Sequence, residues 1–331
     1  MTGKEPMELV CPAGTPAALR AAVDAGADSV YAGFSDETNA RNFPGLNFSR
    51  DELGDGIAYA HDRGVRVLVA INTYPRAGDP EPWHRGVDDA ARLGADALII
   101  ADMGLCAYAQ RTHPDLRRHL SVQASASNAE AIRFYAENFG VKRVVLPRVL
   151  TVAEIAALNR EIKVETEVFV FGGLCVMAEG RCALSSYVTG ISPNKDGACS
   201  PASHVRYEEE GGRLMTRLGN YTVNAFAPGE AAGYPTLCKG RFAAYGKPDY
   251  LFEEPTSLST LAMLPDLAAA GVRALKIEGR QRGRAYVSQV VAAFRRAVDA
   301  VAAGEPVADE ELLALSEGGR ETAGAYKRAW R

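Results

Sequence analysis

The chain has 331 residues, a net charge of −4, a sequence pI near 5.8 and 47% hydrophobic residues. Its length and apolar content suffice for one large core or two ordinary ones. The mild acidity argues against a global nucleic-acid footprint, and no apolar run approaches the roughly 20 residues of a membrane span. The start, Met1-Thr-Gly-Lys-Glu-Pro6, leads into a short apolar run rather than a secretory h-region, which predicts a cytoplasmic protein with reduced thiols.

The first 173 residues repeat strand, loop and helix. Strands are predicted at Glu8–Pro12, Ser29–Gly33, Arg66–Asn72, Ala97–Ala101, Leu120–Ser125, Arg143–Pro147 and Val164–Phe171. Helices lie between them at Pro16–Ala25, Arg50–Arg63, Pro80–Leu93, Gly104–Thr112, Asn128–Asn138 and Val152–Asn159. Ser49 before Arg50-Asp-Glu52 and Thr151 before Val-Ala-Glu154 read as capping boxes. The rhythm then breaks for about eighty residues, Leu174–Thr256, too long for a structureless loop in a compact domain. Within them Val205–Thr216 reads as a hairpin turning at Glu210-Gly-Gly212. A helix near Leu258–Ala270, an eighth strand at Ala274–Glu278 and a long helix from Arg284 to Ala303 complete the series. Eight strands alternating with helices predict an α/β fold, a (β/α)8 TIM-like barrel. Residues 7–173 supply strands one to seven, 174–256 a Cys-containing subdomain inserted after strand seven, and 257–331 the remaining barrel elements and the C-terminal tail. The competing doubly wound sheet usually carries a Gly-rich dinucleotide fingerprint, which the first turn, Cys11-Pro-Ala-Gly-Thr-Pro16, lacks.

All four cysteines of the insertion sit among Gly, Pro and small residues: Cys175, Cys182, Cys199 and Cys238, separated by six, sixteen and thirty-eight residues. Such loops let backbone approach an inorganic group closely. The spacing favours iron–sulfur ligation over disulfides, which a reducing compartment disfavours. It also ranks zinc lower, because zinc ligands usually come in knuckles with two to four residues between them. Cys11, in an apolar strand, and Cys106, in a helix, read as buried small hydrophobes.

Strand parity points Lys276, Glu278 and Arg280 into the lumen on strand eight, Ser121, Gln123 and Ser125 on strand five, and Glu165, Glu167 and Phe169 together on strand seven. A lumen with Gln123, Glu167, Lys276 and Glu278 is polar for a barrel. It reads either as a self-paired ionic layer, Lys276 with Glu278 or Glu167, or as a reactive centre. Arg41, Arg148 and Arg280 fall at the C-terminal mouth, where guanidinium groups grip carboxylates. Arg181, Lys239 and Arg241 lie beside the cysteines and would offset thiolate charge. None of the five histidines, His61, His84, His113, His119 and His204, is predicted to end a strand at that face, so a Ser–His or Cys–His hydrolase has no obvious base.

The run Glu167-Val-Phe-Val-Phe-Gly-Gly-Leu-Cys175, with Gly180-Arg-Cys182-Ala-Leu-Ser185, resembles the signature of the collagenase-like peptidase family. Gly173 departs from the Ser or Ala usual there. Asp36-Glu-Thr-Asn-Ala-Arg41, Val122-Gln-Ala-Ser-Ala126, Gly233-Tyr-Pro-Thr-Leu-Cys-Lys-Gly-Arg241 and Lys276-Ile-Glu-Gly-Arg-Gln-Arg282 resemble its ubiquinone-hydroxylating branch, in a likeness running from about Met7 to Trp330. The resemblance implies a 4Fe-4S cluster on Cys175, Cys182, Cys199 and Cys238. It implies a heterodimer with a related second cluster subunit that hydroxylates the ring of ubiquinone precursors without dioxygen, with prephenate as oxygen donor and a lipid-carrier protein as a further partner. Substrate binding then falls to Arg41, Arg148, Arg280 and Lys276, and catalysis to Glu167, Gln123 and Glu278. The same resemblance leaves a peptidase and an RNA base hydroxylase as alternatives. The acidic pI is set against the second, so no nucleic-acid partner and no transmembrane segment are expected.

Overall fold

The computed structural model describes residues 6–175, 177, 179–307 and 312–327. Trp330, the end of the family likeness, lies outside them.

Seven strands and six helices alternate first: β1 (Glu8–Pro12), α1 (Pro16–Asp24), β2 (Ser29–Ala32), α2 (Arg50–His61), β3 (Arg66–Ile71), α3 (Glu81–Leu93), β4 (Ala97–Ile100), α4 (Met103–Thr112), β5 (Arg117–Leu120), α5 (Ala129–Phe139), β6 (Arg143–Val145), α6 (Val152–Glu161) and β7 (Glu165–Gly173). Residues 174–256 then carry α7 (Leu184–Thr189), α8 (Pro193–Asp196), an antiparallel sheet of β8 (Val205–Glu210), β9 (Arg213–Leu218) and β10 (Tyr221–Phe226), and a hairpin of β11 (Arg241–Ala244) and β12 (Lys247–Tyr250). The chain returns through β13 (Ser257–Ser259), α9 (Leu264–Ala269), β14 (Ala274–Ile277), α10 (Arg284–Ala303) and the short β15 (Glu321–Thr322). Strands β1 to β7 and β14 pair in parallel, and β14 pairs with both β1 and β7, which closes an eight-stranded α/β TIM-like barrel.

Local chemistry explains the element ends. Ser49 and Thr151 each accept from the third helical N–H while Glu52 and Glu154 bond back, completing both capping boxes. Gly211 and Gly212 turn the β8–β9 hairpin with φ of 56° and 73°, the left-handed region that a tight hairpin turn requires.

Two predicted elements differ. Strand five begins earlier and stops at Leu120, and Val122–Ala124 form one 3₁₀ turn. The Ser121 hydroxyl accepts from the Gln123 N–H, giving the backbone a partner outside the sheet ladder, and Ser125 is left-handed at φ 51°. Strict alternation therefore fails beyond Ser121. The segment expected to be helical from Leu258 begins instead as β13, which pairs antiparallel with the end of β7. Helix α9 starts only at Leu264, with Pro265 fitted to its first turn.

Side chains alternate across the wall. Leu9, Cys11, Val67, Val69, Leu275 and Ile277 join the core under the helices, whereas Val10, Tyr31, Leu68, Ala70, Ala97, Ile99 and Ala274 form a separate apolar plug in the lumen. Toward the N-terminal ends of the strands lies an ionic layer. Arg143 pairs with Glu8 at 2.6 Å, Glu165 at 2.7 Å and Glu167 at 3.4 Å, and Lys276 pairs with Glu167 at 2.6 Å. Among the described residues no helix is long and apolar enough to cross a membrane.

Candidate functional site

The loops after the strands bring Arg41, Asn72, Gln123, Arg148, Glu179, Glu278 and Arg280 to one cleft, with Tyr31, Phe169 and Lys276 on its floor. The cleft is narrow, with a cavity volume of about 60 Å³.

The cations differ in how much of their bonding capacity is used. Arg280 donates to Asn39 Oδ1 and to the Ala40 carbonyl, both at 2.9 Å, so its fork shapes the β2–α2 loop. Burial and the neighbouring Arg41 pull its pKa down to about 10, against the opposing pull of Tyr31 and Glu278. Arg148 donates to Glu179 Oε1 at 2.7 Å and to the Gly173 carbonyl at 2.6 Å, and its guanidinium lies over the Phe169 ring. Burial opposes its charge, but Glu179, Cys175 and Glu278 outweigh burial and raise its pKa. Arg41 is partly exposed, with a long contact of 3.8 Å to Glu278. It also loses hydration, yet Glu278, Cys175 and Cys199 keep it firmly protonated. Arg41 thus retains more hydrogen-bonding capacity for an incoming anion than the other two.

Below them, Lys276 Nζ lies 3.8 Å from the centre of the Tyr31 ring while it pairs with Glu167. Burial lowers its pKa, and Glu167 counteracts part of that loss. Glu167 is completely buried beneath the cleft, with Lys276 and Arg143 on its carboxylate. Glu278 stands at the mouth and accepts from the Gly173 N–H at 3.3 Å. Gln123 Oε1 is buried with no hydrogen-bond partner among the described residues. Ser121 lines the cleft, as the strand reading expected, and accepts from the Asn72 amide, whereas Ser125 lies beyond the strand and donates to the Glu179 carbonyl.

The four insertion cysteines are free thiols, Cys175 exposed and Cys182, Cys199 and Cys238 half-buried. Each is within electrostatic reach of at least one other: Cys175 of Cys199, Cys199 of Cys182, and Cys238 of both Cys175 and Cys199. Burial raises the Cys199 and Cys175 thiols, with Arg41 pulling both back and Arg148 pulling Cys175. Cys238 is pushed up to about 12 by burial and then by Cys175 and Cys199. Among the described residues no three Cys, His, Asp or Glu side chains converge closely enough for a single metal ion. Zinc would need all four thiolates about 2.3 Å from one centre, whereas a four-iron cluster carries its four cysteines on separate irons of a larger body. Four free thiols, with Arg41 near Cys175 and Cys199 and Arg148 near Cys175, are a donor set compatible with such a cluster. Of the other cations expected to balance thiolate charge, Lys239 pairs with Glu317 and Arg241 with Glu230 at 2.9 Å, while Arg181 is exposed.

Sequence reasoning missed Tyr31, Asn39, Asn72 and Glu179. Parity on β3 carries Leu68 and Ala70 on to Asn72, and Glu179 is the one acid between Cys175 and Cys182, so both signals were available. Asn39 and Tyr31 act through contacts more than 200 residues away in sequence, with Arg280 and the Ile277 carbonyl, that no local pattern announces. Cys11 and Cys106 are buried as expected, and among the described residues no histidine lines the cleft.

The chain matches the sequence profile of Peptidase family U32 over residues 14–326. It is similar to the tRNA hydroxylation protein P of Escherichia coli (strain K12), with 33% identity over 330 residues, 94% of this chain and 72% of that protein. It is 30% identical over 298 residues to the 23S rRNA 5-hydroxycytidine C2501 synthase of Escherichia coli (strain K12), covering 89% of this chain and 40% of that protein. A protein named Collagenase from Porphyromonas gingivalis (strain ATCC BAA-308 / W83) is 29% identical over 320 residues, 92% of this chain and 68% of its own length. The chain belongs to Peptidase family U32.

Proposed function

We propose that this chain is the iron–sulfur subunit of an oxygen-independent ring hydroxylase of the UbiU type. It acts on ubiquinone precursors, takes prephenate as oxygen donor and works with a UbiV-like second cluster subunit. The observation that carries the reading is the cationic cleft at the barrel mouth, to which Glu179, between Cys175 and Cys182, contributes its side chain.

Cys175, Cys182, Cys199 and Cys238 would hold the 4Fe-4S cluster, which supplies one-electron redox capacity when bound. Arg41 and the remaining donor capacity of Arg148 would bind the carboxylates of prephenate. Arg280 serves by holding Asn39 and Ala40 in place, and so the loop that presents Arg41. Lys276 adds positive potential at the floor, and Glu167 acts through Lys276 rather than on substrate. The unpartnered Gln123 Oε1 is suited to accept a hydrogen bond from a ring hydroxyl. Glu278, beside Arg41, would take a proton at the mouth.

A second reading, hydroxylation of an RNA base, is favoured by the names of the two Escherichia coli relatives. One experiment separates them. The chain and its partner subunit are incubated without air with prephenate and either a quinone precursor or bulk tRNA and rRNA, and mass spectrometry follows the gain of one oxygen. Oxygen gained by the quinone ring supports the proposal. Oxygen gained by cytidine alone transfers the reading to RNA.

A further inference from the structure

The loop that carries Cys175 and Cys182 is tied to the barrel mouth at three points. Arg148 Nε meets Glu179 Oε1 at 2.7 Å, with both side chains only 6% exposed. The left-handed Ser125 donates its hydroxyl to the Glu179 carbonyl. Gly180, at φ +76°, lies so close to the strand-five loop that a Cβ there would stand 2.0 Å from the Gln123 carbonyl oxygen. Arg148 itself reaches back to the Gly173 carbonyl, two residues before Cys175. One buried carboxylate therefore joins a cleft-lining guanidinium to the segment that bears two of the four thiols.

We propose that Glu179 is a positioning residue: it aims Arg148 into the cleft and locks the Cys175–Cys182 loop to the barrel, so that anion affinity and the state of that loop are coupled. A guanidinium held by a buried carboxylate on one edge is fixed in orientation before a ligand arrives. Without that carboxylate the buried charge has lost its partner and leaves its position. The coupling is reciprocal: if ordering of the loop strengthens anion binding, anion binding protects the loop. The part of the proposal that concerns iron rests on the cluster reading above; the latch does not.

Two measurements decide it. In metal-free protein, iodoacetamide alkylation is followed cysteine by cysteine in wild type, Glu179→Ala, Glu179→Gln and Glu179→Asp. The latch predicts that Cys182, half-buried in the wild type, reacts about tenfold faster in the Ala and Gln variants, as expected for loss of a charge-assisted hydrogen bond. Cys238 stays unchanged, and Asp recovers part of the protection. Equal rates at Cys182 in wild type and Glu179→Gln overturn the latch whatever the protein binds, and parallel acceleration at Cys238 shows general loosening and overturns it too. In the second measurement, prephenate binding is titrated before and after anaerobic iron chelation. Wild type weakens on chelation, whereas Glu179→Gln binds weakly throughout. Equal weakening of both proteins by chelation overturns the coupling. Absence of iron, or of prephenate binding, in wild type counts against the proposed function and removes the coupling, while alkylation still decides the latch.

Discussion

Replacing Glu167 with Gln removes one side of the ion pair at the barrel's centre. The pair is buried on both sides, with side-chain exposures of 6% and 0% and an Nζ–Oε1 distance of 2.6 Å. At an effective dielectric of about 20 its gross attraction is about 6 kcal/mol, much of it spent on desolvating the two charges. Removing one partner is costlier than the net worth of the pair, because Lys276 stays buried and unpaired, and the expected loss is about 3–5 kcal/mol. Arg143 keeps Glu8 and Glu165, so the damage centres on Lys276. With an unfolding entropy of about 2.1 cal/mol/K per residue, near 0.7 kcal/mol/K for this chain, Tm falls by about 4–7 °C. Urea and thermal melts of wild type, Glu167→Gln, Lys276→Met and the double variant form the assay. The double variant should regain most of the stability, giving a coupling of about 2–3 kcal/mol. The Glu167→Gln deficit should also shrink as pH rises. The folded-state pKa of Lys276 already lies below its ordinary value, so the unfolded chain binds more protons and stability increases with pH. A Glu167→Gln protein within about 1 kcal/mol of wild type, or a double variant no better than the single, would refute a supporting role for this pair.

Arg41→Ala should weaken prephenate binding by about 10–100-fold, the scale of a lost charged hydrogen bond, with iron content intact; unchanged affinity removes Arg41 from the site. Arg280→Ala should instead lower Tm, because the guanidinium is buried against Asn39 and Ala40; an affinity loss with an unshifted Tm would contradict that division. His119 is buried, and burial followed by Arg143, Arg117 and Lys276 holds its pKa well below 6.5. The unfolded state then binds the extra proton, so stability falls as pH falls through about 6.5, by about 1.4 kcal/mol between pH about 7.5 and 5.5. Urea melts of His119→Gln should lose that part of the slope, and an unaltered slope would place its source elsewhere.

The barrel was legible because its signals are local. The period-2 strands and the capping boxes at Ser49 and Thr151 recur in the structure within one or two residues at most element ends. Strand five was misread because Val122-Gln-Ala-Ser looks like a strand by composition, while the hydroxyl of Ser121 supplies the backbone with another partner. The start of the segment after the insertion was misread because its pairing with Phe171–Gly173 lies more than eighty residues away in the chain. Parity found the polar lumen but could not divide it by depth. Glu167 and Lys276 read alike from sequence, yet one is sealed under the cleft and the other lines it. Likewise Arg41, Arg148 and Arg280 were one group in the sequence. Their different hydrogen bonds, to Asn39, Ala40, Gly173 and Glu179, separate an open guanidinium from two that are already held.

The proposed chemistry requires the four thiols to hold an iron–sulfur cluster beside an anion cleft. Anaerobic purification followed by iron and sulfide analysis of wild type and Cys238→Ser decides whether they do. About four iron and four sulfide per chain are expected, with an absorbance bleached by dithionite and loss of most of the iron in Cys238→Ser. Zinc without iron under the same handling, or iron content untouched by Cys238→Ser, would contradict the proposed chemistry and leave these cysteines as a structural staple.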